Sequence, residues 1–106
     1  MTLSVVIIAQ DEERTIGRVL DAVKSIAEEV ILVDSGSSDA TREIAADLGA
    51  EVIHQDWLGY AAQKNFALGL AKGDWVLSLD ADEVLTAELV EEIAALLKNA
   101  SAKDFL

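Results

Sequence analysis

Cysteine and proline are both absent from this 106-residue sequence. Without cysteine the chain has neither disulfides nor thiolate metal sites, and it is compatible with a reducing cytosol. Without proline nothing interrupts the helix and strand patterns, which can be read straight through. Basic side chains are scarce as well. Eight of them stand against twenty acids, a formal charge of -12. That balance repels phosphate backbones and anionic lipid surfaces, so nucleic acid is not an expected partner. Long apolar runs are missing too. The first, Leu3 to Ala9, is short, has no basic residues ahead of it and leads into "QDEER", which does not resemble a signal peptide. No run approaches the roughly 18 residues needed to span a bilayer. A soluble, cytoplasmic chain is expected, with the inner face of the membrane as a setting for a full-length protein. The Gly- and Ser-rich "SGSSDAT" lacks the Gly-Lys-Ser/Thr of a phosphate loop.

What is present is apolar residue in quantity, 52% of the chain, enough for the core of one compact domain over residues 1–106. It falls into short β-branched runs alternating with amphipathic stretches, the pattern of βαβ units. Strands are predicted at Leu3 to Ala9, Glu29 to Asp34, Ala50 to His54 and Trp75 to Leu79. Ile16, Val19, Leu20 and Val23 recur at helical spacing within a helix from about Thr15 to Ser25. Asp39 sits where an N-cap belongs for a helix reaching Leu48, with Gly49 placed to end it. A third helix is predicted from Tyr60 to Ala71, stopping near Gly73. Thr86 can cap a fourth, whose Leu89, Ile93, Leu96 and Leu97 share one face. The expected fold is α/β and Rossmann-like: a three-layer α/β/α arrangement of four βα units on a mainly parallel sheet. "SAKDFL" at the end reads as the start of another apolar element, so a chain truncated from a longer one is expected.

The acids gather at the carboxyl ends of the strands, where parallel sheets bind ligands. Asp11, Glu12 and Glu13 follow the first strand, Asp34 closes the second, and Asp80 and Asp82 follow the fourth. A strand order of 3-2-1-4, which right-handed crossovers allow, brings the acidic ends of strands one and four to one crevice. Carboxylates crowded together repel, which implies a cation, and all-oxygen ligands favour Mg²⁺ or Mn²⁺ beside substrate phosphates. The bland alternative is that Asp34 and Asp82 accept from loop amides or the next helix N-terminus.

Three chemistries compete for "WVLSLDADEVL". An apolar strand followed by Asp-x-Asp-x-Val matches the haloacid-dehalogenase phosphatases, with Asp80 as nucleophile and Asp82 as general acid. That family carries the motif on its first strand, with a Ser/Thr, a Lys and further acids downstream. A response-regulator receiver domain would need a phospho-accepting Asp after strand three, where this chain reads "VIHQDW", and a Lys after a fifth strand. The third explains more. "SVVIIAQDEERTI", "EEVILVDSGSSDAT" and "AAQKNFALGLAKGDWVLSLDADE", in this order and spacing, resemble the donor-binding half of family 2 glycosyltransferases of GT-A fold across residues 3–90. The wording "DWLGYAAQKN" followed by "GDWVLSLDADE" is most similar to the lipopolysaccharide-core glucosyltransferase branch. A non-catalytic nucleotide-sugar-binding module stays beside these as a further alternative.

The resemblance implies a metal-dependent, inverting transfer from a nucleotide-diphospho-sugar, a UDP-sugar above all, to a glycan or lipid-linked acceptor. It maps nucleotide contacts onto Gln10 and Glu12, and a uracil contact onto Asp34, whose ionised carboxylate can accept a ring N–H. Lys64 would face the base or diphosphate, Asp80 the ribose and metal, and Asp82 the metal, Mg²⁺ or Mn²⁺. The general base of the family would lie beyond Leu106, so the fragment alone is expected to turn over poorly. Glu83 is expected to cap a helix or face solvent, and the lone His54 to be structural. Trp57 and Tyr60 either border the donor pocket or, the preferred expectation, pack their loop onto the third helix, and Trp75 is expected to pack in the core or at an edge. An open sheet edge would favour self-association.

Overall fold

The computed structural model describes residues 1–99. Four strands, β1 (Leu3–Ala9), β2 (Glu29–Asp34), β3 (Glu51–His54) and β4 (Trp75–Asp80), alternate with α1 (Ile16–Val23), α2 (Thr41–Asp47), α3 (Tyr60–Leu70) and α4 (Ala87–Asn99). All pairings are parallel and the sheet order is β3-β2-β1-β4, as expected. The C-terminal segment "SAKDFL", expected to begin another apolar element, lies outside the described residues.

Side-chain alternation along β1 explains the layers. Leu3, Val5, Ile7 and Ala9 point to one face and meet Ile16, Val19, Leu20 and Val23 of α1, Ala45 of α2 and Leu97 of α4. Val6 points to the other face with Ile31 and Val33, against Ala67 of α3. Burial on both sides is why β1 and β2 read as unbroken β-branched runs. It is also why each fully buried Val or Ile there contributes about 1.5–3 kcal/mol. The chain winds outward through β1, β2 and β3 with α1 and α2 on one face, then crosses back on the other face through α3 to place β4 beside β1. That reversal is the topological switch point, and it lies between β1 and β4.

Three details depart from expectation. The residue capping α2 is Ala40, while Asp39, one position earlier, accepts from the Thr41 amide at 2.9 Å and from its hydroxyl. The carboxylate thus closes a local turn that leads into the helix. On α4, Leu97 is buried and Ile93 packs on the core, but Leu89 and Leu96 are 40% and 49% exposed. Seven residues apart, these two share a line of the helix that turns away from the sheet. Thr86 does cap this helix, accepting from the Leu89 amide at 3.1 Å. Gly73 does more than follow α3. A Cβ there would stand 2.7 Å from Ser4 Oγ and 2.8 Å from the Ser4 backbone nitrogen, so only glycine lets the chain enter β4 this close to β1.

Candidate functional site

The register fixes where the site must be. Ala9 pairs with Asp34, Ile8 with Asp80, and Asp34 with His54, so all four strands end at one edge of the sheet. The loops leaving that edge are tied together by side chains. Ser38 and Asp11 share a bond from the Ser38 amide to Asp11 Oδ1 at 2.7 Å, and the Asp11 amide donates to Ser37 Oγ at 2.8 Å. Asp11 holds φ +53°, a left-handed conformation that Asp tolerates better than most residues. The Glu12 amide donates to Thr41 Oγ1 at 2.9 Å, and the Ala40 amide to Glu13 Oε2 at 3.1 Å. Thr15 reaches the other way, its hydroxyl donating to the Ala81 carbonyl at 2.8 Å. The loops after β1, β2 and β4 therefore form one braced rim.

Asp34 belongs to that bracing. It is fully buried; Oδ1 accepts from the Gly36 and Ser37 amides, each at 2.8 Å, and Oδ2 accepts from the Ser37 hydroxyl. With its oxygens turned into its own loop, it does not reach the cleft where the resemblance placed a base contact. Ser35, the next residue, does. The crowding of acids into one crevice is likewise only partial, because Asp11, Glu13 and Asp34 are directed at backbone amides that satisfy them.

Between the ends of β1 and β4 lies an open cleft of about 450 Å³. Gln10, Glu12 and Ser35 line it with Ile8 and Ala9, and Asp80, Ala81 and Asp82 line it from the end of β4 and the turn that follows. Ser35 Oγ donates to Gln10 Oε1 at 2.9 Å, joining two polar groups of one wall. The expected donor residues Gln10, Glu12 and Asp80 and the expected metal ligand Asp82 are thus brought together. Asp80 and Asp82 sit on a tight turn closed by Glu83, whose amide donates to the Asp80 carbonyl at 3.0 Å and whose Oε1 accepts from the Asp80 amide at 2.9 Å. Glu83 therefore shapes the Asp-x-Asp turn and caps no helix.

Trp57 and Tyr60 also line the cleft, and at 55% and 56% exposure they are not packing residues. Their loop is held from below by buried Gln63, whose amide group donates to the Gln55 carbonyl at 3.0 Å and whose Oε1 accepts from the Leu58 amide at 3.1 Å. Tyr60 OH donates to Asp80 Oδ1 at 3.1 Å. Lys64, one turn further along α3, stands 3.6 Å from the same oxygen and 4.9 Å from the Tyr60 ring centroid. The Tyr60 hydroxyl first, and the Asp80 charge after it, hold the Lys64 ammonium above its usual pKa. His54 is exposed and pairs with Asp56 at 2.7 Å, away from the cleft lining. Trp75 packs against the core at the opposite end of β4, with its indole N–H buried and unpartnered among the described residues.

A divalent ion has a limited set of protein ligands here. No group of three or more His, Asp or Glu side chains among the described residues is close enough to hold a metal. Two carboxylates on one turn suit Mg²⁺ or Mn²⁺, which bind through one or two carboxylates and take remaining oxygens from water and substrate phosphate. The donor set fits that role and does not fit a closed structural metal site.

Fold and cleft together define a doubly wound α/β protein with a polar cleft at its switch point. Residues 4–105 match Glycosyl transferase family 2, and the chain belongs to that family. An uncharacterized glycosyltransferase of Rickettsia bellii is 45% identical over 104 residues, which make up 98% of this chain and 35% of that protein. The lipopolysaccharide core biosynthesis glycosyltransferase LpsC of Rhizobium meliloti is 36% identical, over 92% of this chain and 37% of its own. Among solved structures, glucosyl-3-phosphoglycerate synthase from Mycobacterium tuberculosis in complex with Mg²⁺ and UDP superposes with a TM-score of 0.75 at 30% identity. The match covers 92% of this chain and 40% of that one. The fold is thus the Rossmann-like α/β fold of GT-A glycosyltransferases, and the chain spans about a third of the length of the curated relatives it matches. No helix among the described residues is long and apolar enough to cross a membrane.

Proposed function

We propose that residues 1–106 form the donor-binding part of a metal-dependent, inverting glycosyltransferase that uses a nucleotide-diphospho-sugar, specifically a UDP-sugar. The observation that carries this reading is the placement of Asp80 and Asp82 in one cleft with Gln10, Glu12 and Ser35. The synthase of similar fold was solved with UDP and Mg²⁺, which supports the choice of donor and ion.

Each residue has a task in this reading. Gln10 and Ser35 present neutral donors and acceptors suited to the N–H and carbonyl edge of a uracil ring. The exposed ring of Trp57 offers a flat surface on which a base or sugar can stack. Asp34 holds the Ser35 loop in shape without touching the ligand. Asp80 and Asp82 hold Mg²⁺ or Mn²⁺; when bound, the ion supplies Lewis-acid stabilisation to the departing diphosphate. Glu83 fixes the turn that presents both carboxylates. Lys64 adds a point charge near the diphosphate. The base that deprotonates the acceptor is supplied from outside the described residues. A glycan or lipopolysaccharide-type acceptor is supported by the similarity to LpsC.

Calorimetric titration with UDP, with and without Mn²⁺, tests the reading. UDP binding that requires Mn²⁺ and is lost in Asp82→Ala is the expected result. Metal-independent binding, or Mn²⁺-dependent binding that survives both Asp80→Ala and Asp82→Ala, would remove the basis for it.

A further inference from the structure

Lys64 does not stand free in the cleft; it is already paired. Its Nζ lies 3.6 Å from Asp80 Oδ1, the side chains being 30% and 44% exposed respectively. Among the described residues this is the only ion pair that a lysine or arginine makes with a carboxylate. In a chain with twenty acids and eight bases, that one pairing falls on one of the three carboxylates that line the cleft. The Tyr60 hydroxyl bonds the same oxygen at 3.1 Å. Tyr60 and Lys64 are four residues apart on α3, so they stand one above the other on the same helix face.

We propose that Lys64 is the resident counter-ion of Asp80 in the ligand-free protein, and that a divalent cation and a nucleoside diphosphate displace it together. The inference rests on the donor-site reading above and adds a coupling between the two ligands. A divalent ion on Asp80 would stand within a few ångströms of the ammonium, and like charges that close repel strongly in a partly desolvated cleft. The ammonium must therefore move when metal enters. Its four-carbon stem lets it swing, and the Tyr60 ring, over which Nζ already lies at 4.9 Å, still attracts it by cation–π contact once Asp80 is taken by the metal. A diphosphate arriving with the metal offers a better one, as a charge-assisted partner for the displaced ammonium. Metal alone meets a site already neutralised, and nucleotide alone meets a lysine held by Asp80. Each ligand then strengthens the other, and by linkage the strengthening is reciprocal.

The test titrates Mn²⁺ into the nucleotide-free chain, read by electron paramagnetic resonance of the free ion, and then UDP at saturating Mn²⁺, read by calorimetry. Lys64→Met removes the resident cation. It should bind Mn²⁺ about three- to fivefold more tightly than wild type, as befits a half-exposed ion pair. At saturating Mn²⁺ the same variant should bind UDP several-fold more weakly. Lys64→Arg keeps the charge and should keep the wild-type Mn²⁺ affinity. A lysine that served only to pack α3 would leave Mn²⁺ binding unchanged in folded Lys64→Met, with folding checked by circular dichroism. That result in a wild type that binds Mn²⁺ and UDP overturns the coupling while the donor-site reading stands. A wild type that fails to bind UDP with Mn²⁺ overturns both.

Discussion

Substitution of Asp34 separates two roles that the sequence leaves superimposed. If the carboxylate organises its loop, removing it in Asp34→Ala strands the Ser37 hydroxyl and the amides of Gly36 and Ser37, two of which belong to a buried residue. Hydrogen bonds to a charged group are each worth about 1.5–3 kcal/mol net, and orphaned buried donors add a penalty. Gly36 is exposed and can turn to water, so the three do not sum. A loss of about 3–4 kcal/mol follows, a large part of a typical domain's 5–15 kcal/mol. Asp34→Asn keeps one acceptor for the two amides and asks only the Ser37 hydroxyl to reverse, so about 1–2 kcal/mol is expected. Urea denaturation followed by circular dichroism measures both. Because the same loop carries Ser35 and braces Asp11, UDP affinity should fall with stability in the alanine variant and survive largely intact in folded Asp34→Asn. An alanine variant within 1 kcal/mol of wild type would refute the structural role. So would an asparagine variant as stable as wild type that has lost UDP binding, since that pattern belongs to a direct ligand contact.

Two further predictions concern the opposite end of the sheet and the site helix. Gly73→Ala places its Cβ 2.8 Å from the Ser4 backbone nitrogen and should cost about 2–3 kcal/mol, whereas Gly69→Ala on α3 meets nothing within 4 Å and should gain about 0.5 kcal/mol; paired denaturation curves read both, and similar midpoints would contradict the packing. Glu29 accepts from the Ser4 hydroxyl and from the Lys72 amide at 2.6 Å, which together lower its pKa below 4.5. A folded pKa below the unfolded one means stability that is complete above about pH 4.5 and lost as pH falls through the depressed value. The stability difference between wild type and Glu29→Gln should therefore shrink on acidification below pH 4.5, and a gap that widens instead would reverse the sign of this contact.

How far the sequence spoke for itself depended on whether local pattern or tertiary placement decided each feature. β1 and β2 were legible to the residue because burial on both faces demands a continuous β-branched run, and turn residues mark where it stops. The order of strands is one that right-handed crossovers allow without side-chain detail, though they do not by themselves select it. Asp34 could be read two ways, because a carboxylate at a strand end has the same sequence whether it faces a ligand or folds back onto its loop. The signal that favoured the second was the Gly36-Ser37 pair two and three residues on, typical partners of an Asp-initiated turn. Tyr60 and Trp57 could not be assigned from pattern, since an aromatic at the head of a helix reads alike as packing or as pocket wall. Only the arrival of β4 beside β1 brings Asp80 to Tyr60 and Lys64, sixteen and more residues away. Leu89 and Leu96 carry the period of a buried face but lie on the outer side of α4, which meets the core through Ile93 and Leu97.

The claim at the centre of this account is that Asp80 and Asp82 seat a divalent ion beside a nucleotide diphosphate in the cleft between β1 and β4. Paramagnetic broadening measures that seat directly: amide resonances of the ¹⁵N-labelled chain are followed as substoichiometric Mn²⁺ is added with UDP. Selective loss of Ala81, Asp82 and Glu83, then of Gln10 and Ser35, with Glu51 and Glu29 unaffected, is the predicted pattern. Broadening centred on another acidic stretch, such as Asp11 to Glu13, or broadening that ignores the presence of UDP, would contradict it.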